Sequence, residues 1–217
     1  MLLCGMPRDA RKTRRHILDC GYDLFYRKGF NRVAVDEIAD AAGVTKRTLY
    51  YHFESKDALL AAALELHHEL ALARIRKYQD RYPGDADGVV SMLFAELAKW
   101  SKKPGWAGAG FTRLAMELAD LPGHPARSIS RRHKQAVEAW YAEMLAKAQV
   151  SSASERAREL ALLAEGATAL ILIHGDPSYA ELAAGAAKRL MRNVGSTSGE
   201  ASAQLRTKHI ATRKTER

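Results

Sequence analysis

The chain has 217 residues, with 34 Lys and Arg against 25 Asp and Glu for a formal net charge of +9. A hydrophobic content of 47% with 27% charged residues is ordinary for a globular chain, and this length can bury a full core. The longest apolar run, residues 160–173, contains Glu165 and is too short to cross a bilayer, while Met1–Met6 is too short for a signal-peptide core. Two cysteines, Cys4 and Cys20, cannot frame a disulfide scaffold, so a cytoplasmic protein without a membrane partner is expected.

Helical periodicity runs along the whole chain, and no strand signal interrupts it. The first helix carries Ile17-Leu18 and Leu24-Phe25, with Cys20 read as a small buried hydrophobe, and ends near Gly29-Phe30. In the next, Val35, Ile38, Ala39 and Ala42 share one face. Gly43-Val44 then reads as a tight turn, because glycine takes positive φ without a side-chain clash. Thr45 is a good N-cap for a short helix that opens with Lys46, Arg47 and Thr48. Ser55 offers a second cap, with Lys56 beside it. A small residue, a turn glycine and an apolar anchor at Ala39, Gly43 and Leu49 have the spacing of a helix-turn-helix. The pattern predicts a DNA-reading head. Lys46, Arg47 and Thr48 are expected at base edges or nearby phosphates. Tyr50, Tyr51, His52 and Lys56 are expected as phosphate grips, with Thr45 beside them and Leu49 and Phe53 in the core. Arg11, Lys12, Arg14 and Arg15 are candidates for further backbone or minor-groove contacts.

These residues also carry a resemblance. Residues 11–60 resemble the N-terminal domain of the TetR family of bacterial one-component transcriptional regulators, through Ile17-Leu18, Leu24-Phe25, Gly29-Phe30, Ile38-Ala39, Ala41-Ala42-Gly43-Val44, Thr45 to Phe53, and Ser55-Lys-Asp-Ala-Leu59. The resemblance implies an all-α homodimer that binds palindromic double-stranded DNA and lets go when a small molecule enters its C-terminal domain. Tyr51 and Lys56 match the family's phosphate contacts most directly. The family usually carries Thr before the second helix, where this chain has Val33-Ala34, so no contact is assigned to Ala34.

A long fourth helix, about residues 56–78, should join head and body. Breaks follow at residues 82–85, 104–105, 121–125, 151–152 and 174–177, giving about nine helices, three of them in the head. Ser152-Ala-Ser-Glu155 and Ser178-Tyr-Ala-Glu181 read as capping boxes, and His174 as a C-terminal helix partner. The division expected is a flexible segment over 1–10, the head over 11–55, an effector-binding and dimerisation domain over 56–194, and a disordered basic tail over 195–217. Charge supports it: residues 1–56 hold 11 Lys and Arg against 7 Asp and Glu, and residues 195–217 hold 5 against 2. Such patches favour polyanions.

No phosphate loop, nucleophile elbow or paired carboxylate argues for catalysis, so no catalytic residue, cofactor or metal is expected. His67 and His68 are adjacent, and side chains about 100° apart on a helix do not chelate one ion as an i, i+4 pair does. In the body, Trp100, Trp106, Phe111 and Trp140 are read as walls of a pocket for an apolar or aromatic effector, with Arg113 and Glu117 as its polar groups. The other reading of the tryptophans is core, and of Arg113 and Glu117 a surface pair. Leu160, Leu163, Ala167 and Leu170, with Leu182 and Ala186, are the expected dimer interface, against the alternative of burial within one subunit. A ligand-responsive repressor is the function expected. The alternative class is a helical small-molecule carrier or enzyme whose head serves only assembly; binding of random duplexes that collapses in salt separates the two.

Overall fold

Where the apolar residues of this chain recur at helical spacing, helices form. The computed structural model describes residues 8–192, the side chains of Arg8 and Gln79 excepted, as nine helices with no strand among them. They are α1 (Arg8–Lys28), α2 (Val35–Ala41), α3 (Lys46–His52), α4 (Lys56–Arg81), α5 (Ala86–Ser101), α6 (Gly110–Glu117), α7 (Pro125–Lys147), α8 (Ala153–His174) and α9 (Ser178–Arg192). Residues 8–10, expected to be flexible, are the first turn of α1; the remainder of that segment and the expected tail lie outside the described residues. No described helix is long and apolar enough to cross a membrane.

Two cores form. The first joins Ile17, Phe25, Ile38, Leu49 and Phe53 to Leu59, Leu60 and Leu64 of α4, and also to Phe111, Leu114 and Leu118 from α6 and its end and Ile129 of α7. It therefore crosses the boundary expected at residue 55. The second is built by α5, α7, α8 and α9 around Val89, Val90, Phe94, Trp140, Leu145, Leu160 and Ile171. Helix α4, roughly 39 Å long by its rise per residue, leaves the first core and reaches the second at Ile75.

Helix ends correct two expectations. Ser152 sits at φ 53 and makes no side-chain cap bond, so the capping box read at Ser152 does not form. At α9, Asp176 caps instead of Ser178: its carboxylate accepts from the Ser178 amide at 2.9 Å and hydroxyl at 2.8 Å, which holds it below the usual carboxylate range. Cys20 is half-buried rather than core, its thiol 3.5 Å from the Ala41 carbonyl where α1 meets α2.

Candidate nucleic-acid interface and body cavity

Helix α3 is presented by local bonds alone. At the turn the Gly43 amide donates to the Asp40 carbonyl at 3.1 Å and the Val44 amide to Ala39 at 3.0 Å, with Gly43 at φ 62. The Thr45 hydroxyl accepts from the Thr48 amide at 3.1 Å and lies 2.9 Å from the Thr48 hydroxyl. Leu49 and Phe53, four residues apart, bury one face of the segment. The other face is left to solvent: Lys46, Arg47 and Tyr50 are exposed, and Tyr51 is 72% exposed. Lys46 reaches back to Asp36 of α2 at 2.9 Å, an exposed pair that a phosphate could displace at little cost.

The remaining expected grips differ. His52 is half-buried and edge-on to Tyr51; burial and the nearby Arg14 cation push its pKa down, so the ring is neutral at physiological pH. A neutral imidazole can donate one hydrogen bond but brings no charge. Lys56 lies with its ammonium 4.2 Å from the centre of the Phe30 ring. Ser55 caps α4 by accepting from the Ala58 amide at 3.0 Å. On α1, Arg14 stacks over Phe53 at 4.8 Å, while Arg11, Lys12 and Arg15 border a shallow surface hollow with His16 and Asp19.

The expected effector residues divide. Trp100 and Phe111 line a cavity of about 430 Å³, with Tyr22, Tyr26, His67, Arg74, His133, Lys134, Glu165 and Thr168 also facing it. A second cavity of about 500 Å³ shares Arg74, Trp100 and Thr168 with it and adds Tyr78, Leu97 and Tyr141. Trp106 is not in either lining; it packs edge-on against Trp100 at 6.0 Å. Trp140 is buried in the second core beside Tyr141.

Arg113 and Glu117 are neither pocket groups nor a surface pair. The Arg113 guanidinium donates to the Tyr26 carbonyl at 2.8 Å and the Arg27 carbonyl at 3.3 Å, satisfying the open end of α1. Glu117 accepts from the amides of Phe30 and Asn31, both at 2.8 Å, in the loop from α1 to α2. This approach needs Gly29: at φ 91 it bends the chain, and a Cβ there would lie 2.8 Å from the Glu117 carboxylate. Helix α6 is thus a clamp on the head. At its start Gly110 and Phe111 line the cavity of about 430 Å³, with Phe111 stacked on His133 at 3.8 Å and the Thr112 hydroxyl donating to Glu165 at 2.5 Å.

Sequence reasoning missed the polar lining entirely. His68 and His133 meet ring to ring, Nδ1 to Nδ1 at 3.1 Å, so one must donate and the other accept. Burial, then the Lys134 cation, pushes His133 down to about 4. Burial likewise takes His67, stacked on Tyr22 at 3.3 Å, to about 4.

On α8 and α9 the expected interface residues also part. Leu160 and Ala167 are buried in the subunit's own core, and Leu163 packs against that core half-buried. Ala186 is half-buried; Leu170 is 39% and Leu182 65% exposed. Leu162 and Ile173, each 73% exposed, continue that open apolar face.

Comparison with known proteins agrees with this geometry. Residues 17–63 match the bacterial regulatory proteins of the tetR family. Over 90 residues the chain is 38% identical to the HTH-type transcriptional regulator AcrR of Shigella flexneri, covering 42% of each chain. The match thus spans less than half of that relative's length. A solved TetR-family transcriptional regulator from Streptomyces coelicolor superposes with a TM-score of 0.77 at 28% identity, over 85% of this chain and 96% of that one. The reduced form of Escherichia coli NemR gives 0.76 at 23% identity over 82% and 96%, a likeness of fold alone. The body behind takes the same course as in the Streptomyces regulator, and the helix-turn-helix head is a domain of the tetR family of bacterial regulatory proteins.

Proposed function

We propose that this protein is a homodimeric, ligand-responsive repressor rather than an enzyme. It works in the cytoplasm, reads a palindromic operator with α3 and leaves it when a small molecule fills the body. The observation that carries this reading is the face of α3, where Lys46, Arg47, Tyr50 and Tyr51 stand exposed while Leu49 and Phe53 hold the helix from behind. Lys46, Arg47 and Thr48 read bases; Tyr50, Tyr51, His52 and Lys56 hold phosphates, Lys56 by swinging off the Phe30 ring. Thr45 serves by capping. The head acts through residues 11–55, and residues 56–194 sense and pair.

Pairing uses the open face of α8 and α9: Leu162, Leu170, Ile173 and Leu182 are apolar and exposed in the single chain. An exposed apolar stripe of that kind marks an interaction surface, and two heads must be held about 34 Å apart to read successive major grooves. The arrangement of α6 supports a route for release. Phe111 and Thr112 face the cavity region while Arg113 and Glu117 of the same short helix grip the head, so a ligand that shifts α6 shifts the heads. A coupling of about 2.7 kcal/mol gives 100-fold release.

The test is capture of genomic DNA fragments by the purified protein, followed by titration of a recovered site. A palindromic site with a log–log salt slope of roughly −4 to −8 is expected for a dimer making several phosphate contacts. Affinity independent of salt and sequence overturns the proposal.

A further inference from the structure

The polar groups around the cavity of about 430 Å³ are mostly committed to partners within the protein. Tyr26 is spent twice, its hydroxyl donating to the Gly108 carbonyl at 3.0 Å and accepting from the Ala107 amide at 2.9 Å. Thr168 donates to the Ala164 carbonyl, Glu165 accepts from Lys134 and Thr112, and His133 is taken by His68. Lys134 and Glu165 also cancel each other's charge. Three groups stay open, the His67 ring, stacked on Tyr22 but without a hydrogen bond among the described residues, being one of them. Among the described residues the Tyr22 hydroxyl makes no hydrogen bond and the Arg74 guanidinium no ion pair, and each lies within the other's field. Tyr22 is pushed up to about 12, chiefly by burial, so it remains a neutral donor, and the two histidines remain uncharged. In the neighbouring cavity Glu96 is paired with Lys99, and Lys103 makes no ion pair among the described residues. The cavity of about 430 Å³ therefore offers donors and the Arg74 cation without a counter-ion, with the Lys103 cation in the cavity beside it.

Its walls are flat and nearly parallel. The Tyr22 and Tyr26 rings lie 6.1 Å apart at 9°, and Tyr26 and Trp100 lie 6.3 Å apart at 17°. Trp100 and Arg74 border both cavities. Resting on the reading of the body as an effector sensor, we infer that the effector is an arene carboxylate: a planar one- or two-ring acid whose rings lie against Trp100, Tyr26 and Phe111 and whose anion takes Arg74 and the Tyr22 hydroxyl. A guanidinium–carboxylate contact with a second neutral donor is the pairing that these open groups satisfy, and the volume suits a ligand of that size. This narrows the apolar or aromatic effector expected from the sequence to an anionic one.

The experiment uses the full chain without DNA and three probes of one shape: 2-naphthoate, 2-naphthamide and 2-naphthylmethylammonium, followed by tryptophan fluorescence and calorimetry. Naphthoate should bind at least about tenfold more tightly than the amide, the difference that one charge-assisted contact supplies, and the ammonium should bind most weakly. Arg74→Gln, at an exposed position where folding is not at risk, should reduce naphthoate to the level of the amide. Arg76→Gln, exposed on the same helix but outside both linings, should leave the order unchanged. The inference is overturned if the amide or ammonium binds as tightly as naphthoate, if Arg74→Gln keeps the preference, or if none of the three binds. Genomic capture with the same preparation separates the two claims: capture with a failed panel sinks only the effector class, and failed capture sinks the regulator reading itself.

Discussion

The two cores of this protein are packed to different rules. Ten of the twelve largest fully buried side chains belong to the first core, which holds the head, the start of α4, and α6. In the second core, six of fifteen buried residues are alanine, and two cavities open where α4 passes from one core to the other. Dense packing fixes a single geometry, whereas alanine-lined helices beside a cavity can slide. The head must present one surface of α3 unchanged; the body must accept a ligand and register it. The difference in packing follows the difference in duty, and α6 takes part in both.

The contrast breaks most easily through stability. Leu114→Ala removes a fully buried side chain from the dense core and should cost about 2–5 kcal/mol. Trp100→Ala removes a larger side chain that is 39% exposed at a cavity rim, and should cost clearly less than Leu114→Ala. Equal losses by urea denaturation would abolish the distinction. The clamp comes next: Glu117→Ala strands the amides of Phe30 and Asn31, a loss of about 1–3 kcal/mol. The same variant should weaken the effect of a body ligand on DNA affinity, which a two-ligand titration measures.

Acid should act first where the body meets the head's core, at His67 stacked on Tyr22 and His133 stacked on Phe111. His67 and His133 bind a proton only near pH 4 when folded, whereas an unfolded chain binds one at each ring near pH 6.5. The unfolded chain thus holds more protons between these values, and stability, full above about pH 6.5, falls as pH drops towards 4. The thermal midpoint followed by circular dichroism should decline through that window, and less steeply in His67→Phe, which keeps the stack on Tyr22. The smallest effect expected is at the caps: Thr45→Ala and Ser55→Ala should each cost about 1 kcal/mol. Thr45→Ala should also loosen α3 on DNA, while Ser55→Ala leaves its register intact.

Legibility in the sequence followed the range of the interactions. The turn at Gly43 and the caps Thr45 and Ser55 close within five residues, and Leu49 and Phe53 share a face by their four-residue spacing; all were readable. Arg113 and Glu117 were not, because their partners lie 86 or 87 residues away and a four-residue spacing suits a pocket, a surface pair or a clamp equally. Helix α8 misled for another reason. Residues 160–173 are apolar nearly all round, so periodicity could not say whether Leu160 and Ala167 or Leu162 and Ile173 face outward. Packing against α7 and α9 decides it. The Ser152 box failed because Ser152 takes a left-handed conformation, which no spacing of Ser and Glu reveals.

The central claim is that α3 reads DNA from the face opposite Leu49, and an operator titration tests it most directly. A site recovered by genomic capture is titrated by fluorescence anisotropy with the wild type, with Arg47→Ala, and with Arg189→Ala, an exposed cation on α9. Arg47→Ala should lose about 1–3 kcal/mol of affinity and relax the preference for that site over a scrambled duplex, with Arg189→Ala unchanged. Equal affinity and equal preference in all three proteins would contradict the account, because the exposed face of α3 would then not be the surface that meets DNA.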